Sequence, residues 1–435
     1  MVLIYTERIT NRIRYIFGLV FRDMLRSEYE LTADKEQFNG YQGVKISYGK
    51  AKITDELFFA ASPLLFERKI SHIDHSFIDF RGTPAFFPVY HKESVIPFDP
   101  FAAAFYMVSR YEEYLPFKKD EHGRFSAQES LAYQKNFLHK PVVNIWVMNV
   151  VELIEKRYPS FQFRHPEYRF VPTIDIDAAW AYKHKGFFRT AGGYLNCILK
   201  GDFAELIERT KVLAGKKKDP FDTYDFQLAI HKKYNLKPIY FILFAEYGLN
   251  DKNIPFRNLK FQSHIKMLAD YADLGIHPSY NSNFYPQKLK LEVERLSKII
   301  NREVRKSRQH FLMVQLPTTY RNLINLDISD DYSMGFASQP GFRAGICTPF
   351  NFFDLELDTE TKLRINPFAY MEGTLKDYMK LSAEEALHVV KPLISEVKIV
   401  GGTFISIWHN ESLSNTKRWH GWQQLYEEII LLAAK

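Results

Sequence analysis

Two carboxylates one residue apart close an apolar run in this chain, Arg169-Phe170-Val171-Pro172-Thr173-Ile174-Asp175-Ile176-Asp177. On a strand, residues i and i+2 face the same side, so Asp175 and Asp177 can address one cation. Where the chain turns into a helix, such an acid serves instead as an N-cap. Similar chemistry recurs downstream. His277 follows Leu274-Gly275-Ile276, Asp330 and Asp331 precede Tyr332-Ser333, and His409 follows Ile405-Ser406-Ile407-Trp408. His310, in Ser307-Arg308-Gln309-His310-Phe311, stands where an apolar run begins. Taken singly, each histidine reads as a satisfied, partly buried side chain, and Arg308 and Arg343 as structural ion-pair partners. An Asp and two His meeting at one point are a recurrent zinc or other divalent site with a position open to water. A second carboxylate can then act as base and an opposed His as acid, which suits hydrolysis of an amide or ester.

Bringing these residues together requires strand ends that share one edge. After about residue 165 the pattern is strand then helix. Apolar runs at 170–176, 238–244, 311–316 and 403–408 alternate with helical stretches at 263–273, 287–304, 383–398 and 421–434. Buried strands separated by amphipathic helices predict a parallel sheet, open or closed into a barrel. In such folds the active site forms at the carboxyl ends of the strands.

Residues 1–165 read as a smaller mixed α+β domain. Short strands are expected at 1–5, 44–48 and 58–59, with a helix opening at Asp99-Pro100 and another over 142–157. Tyr158 to Pro166 reads as the linker to a second domain, 166–435, and a length of 435 residues fits two cores. The charged set Arg110, Glu112, Glu113, Asp120 and Arg124 is expected to be a structural ion-pair network near solvated turns.

Composition narrows the function. Lys and Arg exceed Asp and Glu by seven, a modest excess spread along the chain, so no nucleic-acid partner is expected. The basic run Lys216-Lys217-Lys218 reads as a solvated loop. No stretch approaches the roughly 20 apolar residues of a membrane span, and the early apolar run Ile16–Phe21 is too short for a signal peptide. A soluble, cytoplasmic protein is the expectation. Two cysteines, Cys197 and Cys347, offer no disulfide framework.

Thr173-Ile174-Asp175-Ile176-Asp177, Gly275-Ile276-His277-Pro278-Ser279-Tyr280-Asn281, Arg308-Gln309-His310 and Trp408-His409-Asn410 resemble, in order, the motifs of NodB-like polysaccharide deacetylases, carbohydrate esterase family 4. Ser109-Arg110-Tyr111-Glu112-Glu113-Tyr114 and Asp120-Glu121-His122-Gly123-Arg124 resemble the amino-terminal domain of a divergent Bacteroidetes branch of that family. The resemblance implies an α/β fold, a distorted (β/α) barrel preceded by the smaller domain. It implies a metal-dependent hydrolase, with zinc as the first choice of divalent metal, that removes acetyl groups from an acetylated sugar or glycan precursor. By position, Asp175 would be the general base, Asp177 and His277 metal ligands, and Arg308 the holder of the base. Asp331 would tune His409, and His409 would be the general acid.

The chain departs from the family pattern twice. Ile176 separates acids that are usually adjacent, and Asn281 stands where the second metal histidine is expected. Either His310 completes the metal site, or the chain is a degenerate carbohydrate-binding or scaffold protein. A glycosyltransferase using Asp-x-Asp is the enzymatic rival, but it leaves His277, His310 and His409 without a role. A phosphatase of the Asp-x-Asp type fits less well, because Ala179 stands where its nucleophile loop has Thr or Val.

Overall fold

The computed structural model describes residues 1–435. The first part carries a four-stranded parallel sheet in the order β2-β1-β3-β4. Its strands are β1 (Val2–Thr6), β2 (Tyr29–Thr32), β3 (Val44–Gly49) and β4 (Leu57–Ala60), followed by a hairpin of β5 (Phe77–Phe80) and β6 (Thr83–Phe86). Around them lie α1 (Asn11–Phe17), α2 (Lys35–Gly40), α3 (Pro100–Val108), α4 (Leu131–Gln134) and α5 (Val142–Arg157). Helix α3 starts where its cap chemistry dictates. The Asp99 carboxylate accepts from the backbone N–H groups of Phe101 and Ala102, and Pro100 occupies the first turn. The helix ends before Arg110, whose left-handed φ of 53° no α-helix accommodates.

The second part is a nine-stranded sheet in the order β12-β13-β11-β10-β9-β8-β7-β15-β14. Its strands are β7 (Arg169–Ile176), β8 (Ile239–Leu243), β9 (Asp273–His277), β10 (Lys306–Ser307), β11 (Asp330–Asp331), β12 (Phe350–Asp354), β13 (Thr359–Ile365), β14 (Tyr370–Met371) and β15 (Thr403–His409). The helices between and after them are α6 (Phe187–Lys200), α7 (Phe203–Leu213), α8 (Tyr224–Lys233), α9 (Leu259–Tyr271), α10 (Pro286–Ile300), α11 (Thr318–Ile324), α12 (Ala383–Ile399) and α13 (Trp422–Ala434). Every pairing is parallel except β12 with β13.

The strand order forces a curl. Strands β13 and β14 stand seven places apart in the sheet, about 34 Å if it were flat. Only residues 366–369 join them, and so short a link reaches no more than about 18 Å. No hydrogen bonds join the edge strands β12 and β14, so the fold is a curled, open α/β sheet where the resemblance implied a distorted barrel.

One hydrophobic core runs through both parts, from Val2 to Ala433. Phe105 of α3 and Tyr15 of α1 both pack on Phe353 of β12, with ring centroids 5.2 and 4.9 Å apart. The smaller sheet is thus fused to the β12 side of the larger one. No helix is long and apolar enough to cross a membrane.

Candidate active site

The sheet register brings the chemistry to one edge. His409, the last residue of β15, lies opposite Asp175 of β7, and Leu243 of β8 lies opposite His277, the last residue of β9. Asp177 follows directly after β7. Ile176, between the two acids, is 1% exposed and belongs to the core. Strand alternation therefore explains the inserted isoleucine: it turns away so that both acids face the site.

Asp177 sits among three imidazoles. Its Oδ1 is 3.3 Å from His277 Nε2, and its Oδ2 is 3.4 Å from His310 Nε2 and 3.8 Å from His409 Nε2. The nearest donor atoms of Asp177, His277 and His310 all lie within 4.8 Å of one another. The other ring nitrogens are taken. His277 Nδ1–H donates to the Arg308 carbonyl at 2.5 Å, and His310 Nδ1–H to Asp251 Oδ1 at 2.9 Å. A carbonyl can only accept, so His277 carries its proton on Nδ1, and the Asp251 contact orients His310 likewise, so that both rings turn Nε2 toward Asp177. Asp177 Oδ1 is buried without a hydrogen-bond partner. Burial opposes charging these groups, yet the neighbouring imidazoles, His310 first, hold the Asp177 carboxyl well below the usual range. Against the same burial, Asp177 and Asp251 lift His310 to about 9. Two oriented imidazoles and a carboxylate with an orphaned buried oxygen fit a divalent cation.

Two further groups flank this triad. Asp175 is buried, and its Oδ1 accepts from Arg308 Nη1–H at 2.9 Å while Oδ2 lies 3.8 Å from His277 Nε2. Arg308 is fully buried. Its Nη1 also donates to Thr173 Oγ1 at 2.6 Å, its Nε donates to the Tyr332 carbonyl at 3.0 Å, and the guanidinium lies 4.5 Å from the Phe241 ring centroid. Opposite, His409 Nδ1 meets Glu372 Oε1 at 2.7 Å, and the same oxygen accepts the His409 backbone N–H at 2.9 Å. Burial works against a charge on His409, but Glu372 and then Asp177 raise its pKa well above the ordinary value.

Sequence reasoning gave Asp331 the task that Glu372 has. Asp331 instead accepts from the Ser333 backbone N–H and hydroxyl, both at 2.9 Å, and burial pushes its carboxyl up to about 6. Strand order is the reason: β14, which ends just before Glu372, pairs with β15, whereas β11 stands on the far side of β7. Asp251 was also missed. It lies in the loop after β8, and an acid following a strand was the only signal available. Asn281 is not in the cleft; it lines a small recess with Glu246, Ser279 and Arg295.

The cleft over the triad has a volume of about 210 Å³, with Phe311, Leu312, Met371, Tyr378 and Trp419 among its walls. Arg124 lines it too, from the first part of the chain. Its Nε pairs with Asp120 at 2.7 Å and its Nη1 donates to the Phe311 carbonyl. Phe311 and Leu312 have left-handed φ values of 58° and 53°, so the apolar run 311–316 is not the expected strand. It is an irregular turn that swings His310 into the site, and Arg124 clamps it from outside. Close by, Arg343 pairs with Glu113 at 2.7 Å, Glu113 with Arg110 at 2.8 Å, and Arg110 with Glu112 at 2.6 Å. The expected ion-pair network therefore exists, but it is buried at the join between the two sheets instead of solvated.

Residues 2–159 match the profile of a family described as a family of unknown function, DUF7033. No curated protein matches the chain. Three solved structures are similar to it at low identity. A presumed polysaccharide deacetylase from Mycobacterium smegmatis shares 12% identity over 62% of this chain and 85% of its own, with a TM-score of 0.41. A polysaccharide deacetylase from Bacillus cereus shares 10% over 61% and 85%, with a TM-score of 0.29. A family 4 carbohydrate esterase pseudoenzyme from Bacillus anthracis shares 16% over 61% and 63%, with a TM-score of 0.26. The chemical reading of the site rests on its own geometry.

Proposed function

We propose that this chain is a metal-dependent hydrolase that removes acetyl groups from an acetylated carbohydrate. The observation that carries the reading is the placement of Asp177, His277 and His310 between a held carboxylate, Asp175, and a carboxylate-backed imidazole, His409. Asp177, His277 and His310 would hold the divalent cation, zinc by donor type, which supplies Lewis acidity toward an acetyl carbonyl and toward water. Arg308 grips Oδ1 of Asp175 and leaves Oδ2 to take the proton of the attacking water. His409, favoured in its doubly protonated form by Glu372, which accepts Nδ1–H, presents Nε2–H to the departing sugar nitrogen or oxygen. Aromatic side chains in the cleft wall suit the apolar face of a sugar ring.

The test is a screen for acetate release from N- and O-acetylated sugars and oligosaccharides, using protein stripped with a chelator and reloaded with zinc, cobalt or manganese. Release that needs added metal and is lost in Asp175→Asn supports the proposal. Absence of release from every substrate by reloaded protein overturns it.

A further inference from the structure

Helix α6 is amphipathic in an unusual sense: its apolar face is turned outward. Phe187, Phe188, Ala191, Leu195, Ile198 and Leu199 recur at helical spacing and are all exposed, Phe187 by 80%, Phe188 by 88% and Leu199 by 77%. Inward, the same helix presents Gly193 and Cys197. A Cβ at Gly193 would collide with the guanidinium of Arg209, which α7 supplies. On α7, Phe203 and Ile207 extend the outward face, one turn apart. Eight of the 22 exposed large apolar side chains fall within residues 187–213, so this is one patch and not the usual scatter of single residues.

Three exposed lysines without an acidic partner, Lys200, Lys211 and Lys216, border the patch, whereas Arg209 is buried and Lys217 and Lys218 pair with Glu208 and Asp225. Residues 183–218 hold nine Lys and Arg against three Asp and Glu, which accounts for six of the chain's net +7. Aromatic and aliphatic side chains on one face, with lysines at both ends, are what an anionic bilayer surface attracts: the apolar groups enter the acyl boundary while lysines meet phosphate. The patch also borders the candidate site. Arg189 of α6 stacks 4.1 Å from the Tyr247 ring centroid and donates to the carbonyls of Asn253 and Lys252, at 2.8 and 2.9 Å. That loop carries Asp251, the partner of His310, and it exposes Tyr247 and Leu249 beside α6.

We infer that the α6–α7 face is a docking surface for an anionic lipid bilayer, on which the protein sits peripherally through the outward apolar stripe and its lysine flanks. The inference is independent of the chemistry assigned to the cleft.

Cosedimentation of the full chain with vesicles tests it. Phosphatidylcholine vesicles containing about one third phosphatidylglycerol are expected to bind the protein at least about tenfold more tightly than pure phosphatidylcholine, with binding weakened by salt. The triple substitution Phe187→Ser, Phe188→Ser, Leu199→Ser should lower that binding about tenfold or more while leaving metal affinity unchanged. Lys200→Glu, Lys211→Glu, Lys216→Glu, which spares the apolar stripe, should lower it and flatten its salt dependence. Failure of the wild-type chain to bind the anionic vesicles, or equal binding by the serine variant, would overturn the proposal. So would sedimentation of the wild type as a dimer that the serine variant converts to monomer, because a second copy would then cover the face.

Discussion

Asp251 lies outside both the candidate metal triad and the lining of the cleft, yet its replacement should be felt in metal affinity. Its Oδ1 accepts from His310 Nδ1–H and from the Tyr280 backbone N–H, both at 2.9 Å, and its Oδ2 is buried without a partner. In Asp251→Asn the amide oxygen can still accept both bonds, but the negative charge that strengthens the His310 bond is gone. In Asp251→Ala the ring loses its anchor altogether. A hydrogen bond to a charged group contributes about 1.5–3 kcal/mol, and losing an outer partner of a metal histidine weakens binding about 10- to 100-fold. The asparagine variant should therefore sit near the tenfold end and the alanine variant nearer the hundredfold end. The Tyr280 N–H left unpaired in the alanine variant adds a stability loss of about 1–3 kcal/mol. Zinc affinity is measured by competition with a chromophoric chelator, and cobalt absorption reports the coordination directly. A folded Asp251→Ala protein that binds zinc as tightly as wild type would refute the claim that Asp251 orients a metal ligand.

Asp175→Asn should keep its metal and lose acetate release by about 10²- to 10⁴-fold, the usual contribution of a positioned base; wild-type turnover in that variant would remove Asp175 from the mechanism. Arg124→Ala frees the Phe311 carbonyl behind His310 and should lower kcat/KM by about tenfold, with a smaller loss in Arg124→Lys. Glu113→Ala leaves Arg110 and Arg343 buried without their shared carboxylate and should cost about 3–5 kcal/mol in urea unfolding. His231, packed against the Tyr426 hydroxyl at 2.5 Å, has its pKa lowered to about 4 by burial. Its folded pKa is below its unfolded one, so the unfolded state binds more protons between about pH 6.5 and 4, and stability falls as pH drops through that window, by about 3 kcal/mol for this group. Comparing unfolding free energies at pH 7 and pH 4.5 should show a smaller acid loss in His231→Gln than in wild type; equal losses would exclude His231 as a contributor.

What could be read from the sequence follows what side-chain periodicity encodes. Strands β7 and β15, helices α12 and α13 and the pair Asp175 and Asp177 were legible because alternation and helical spacing are local properties. The run 311–316 misled because hydropathy does not register a backbone at positive φ, and it is that turn which delivers His310. Glu372 was hidden because its pairing with His409 depends on β14 lying beside β15, a matter of strand order that no local pattern reports. Helices α6 and α7 escaped notice for a related reason. Their apolar residues face solvent, whereas an apolar stripe at helical spacing ordinarily marks the face turned to the core. The ion pairs among Arg110, Glu112 and Glu113 were expected on the surface because charge near a turn is usually solvated, whereas Arg343 draws them into the join between the sheets.

The central claim is that Asp177, His277 and His310 hold one divalent cation. Elemental analysis of chelator-stripped protein reloaded with zinc tests it most directly. One ion per chain is predicted for wild type, Asp175→Asn and Asn281→Ala, and none for His277→Ala or His310→Ala. An unmetallated wild-type chain under replete conditions, or full occupancy in His310→Ala, would contradict the account.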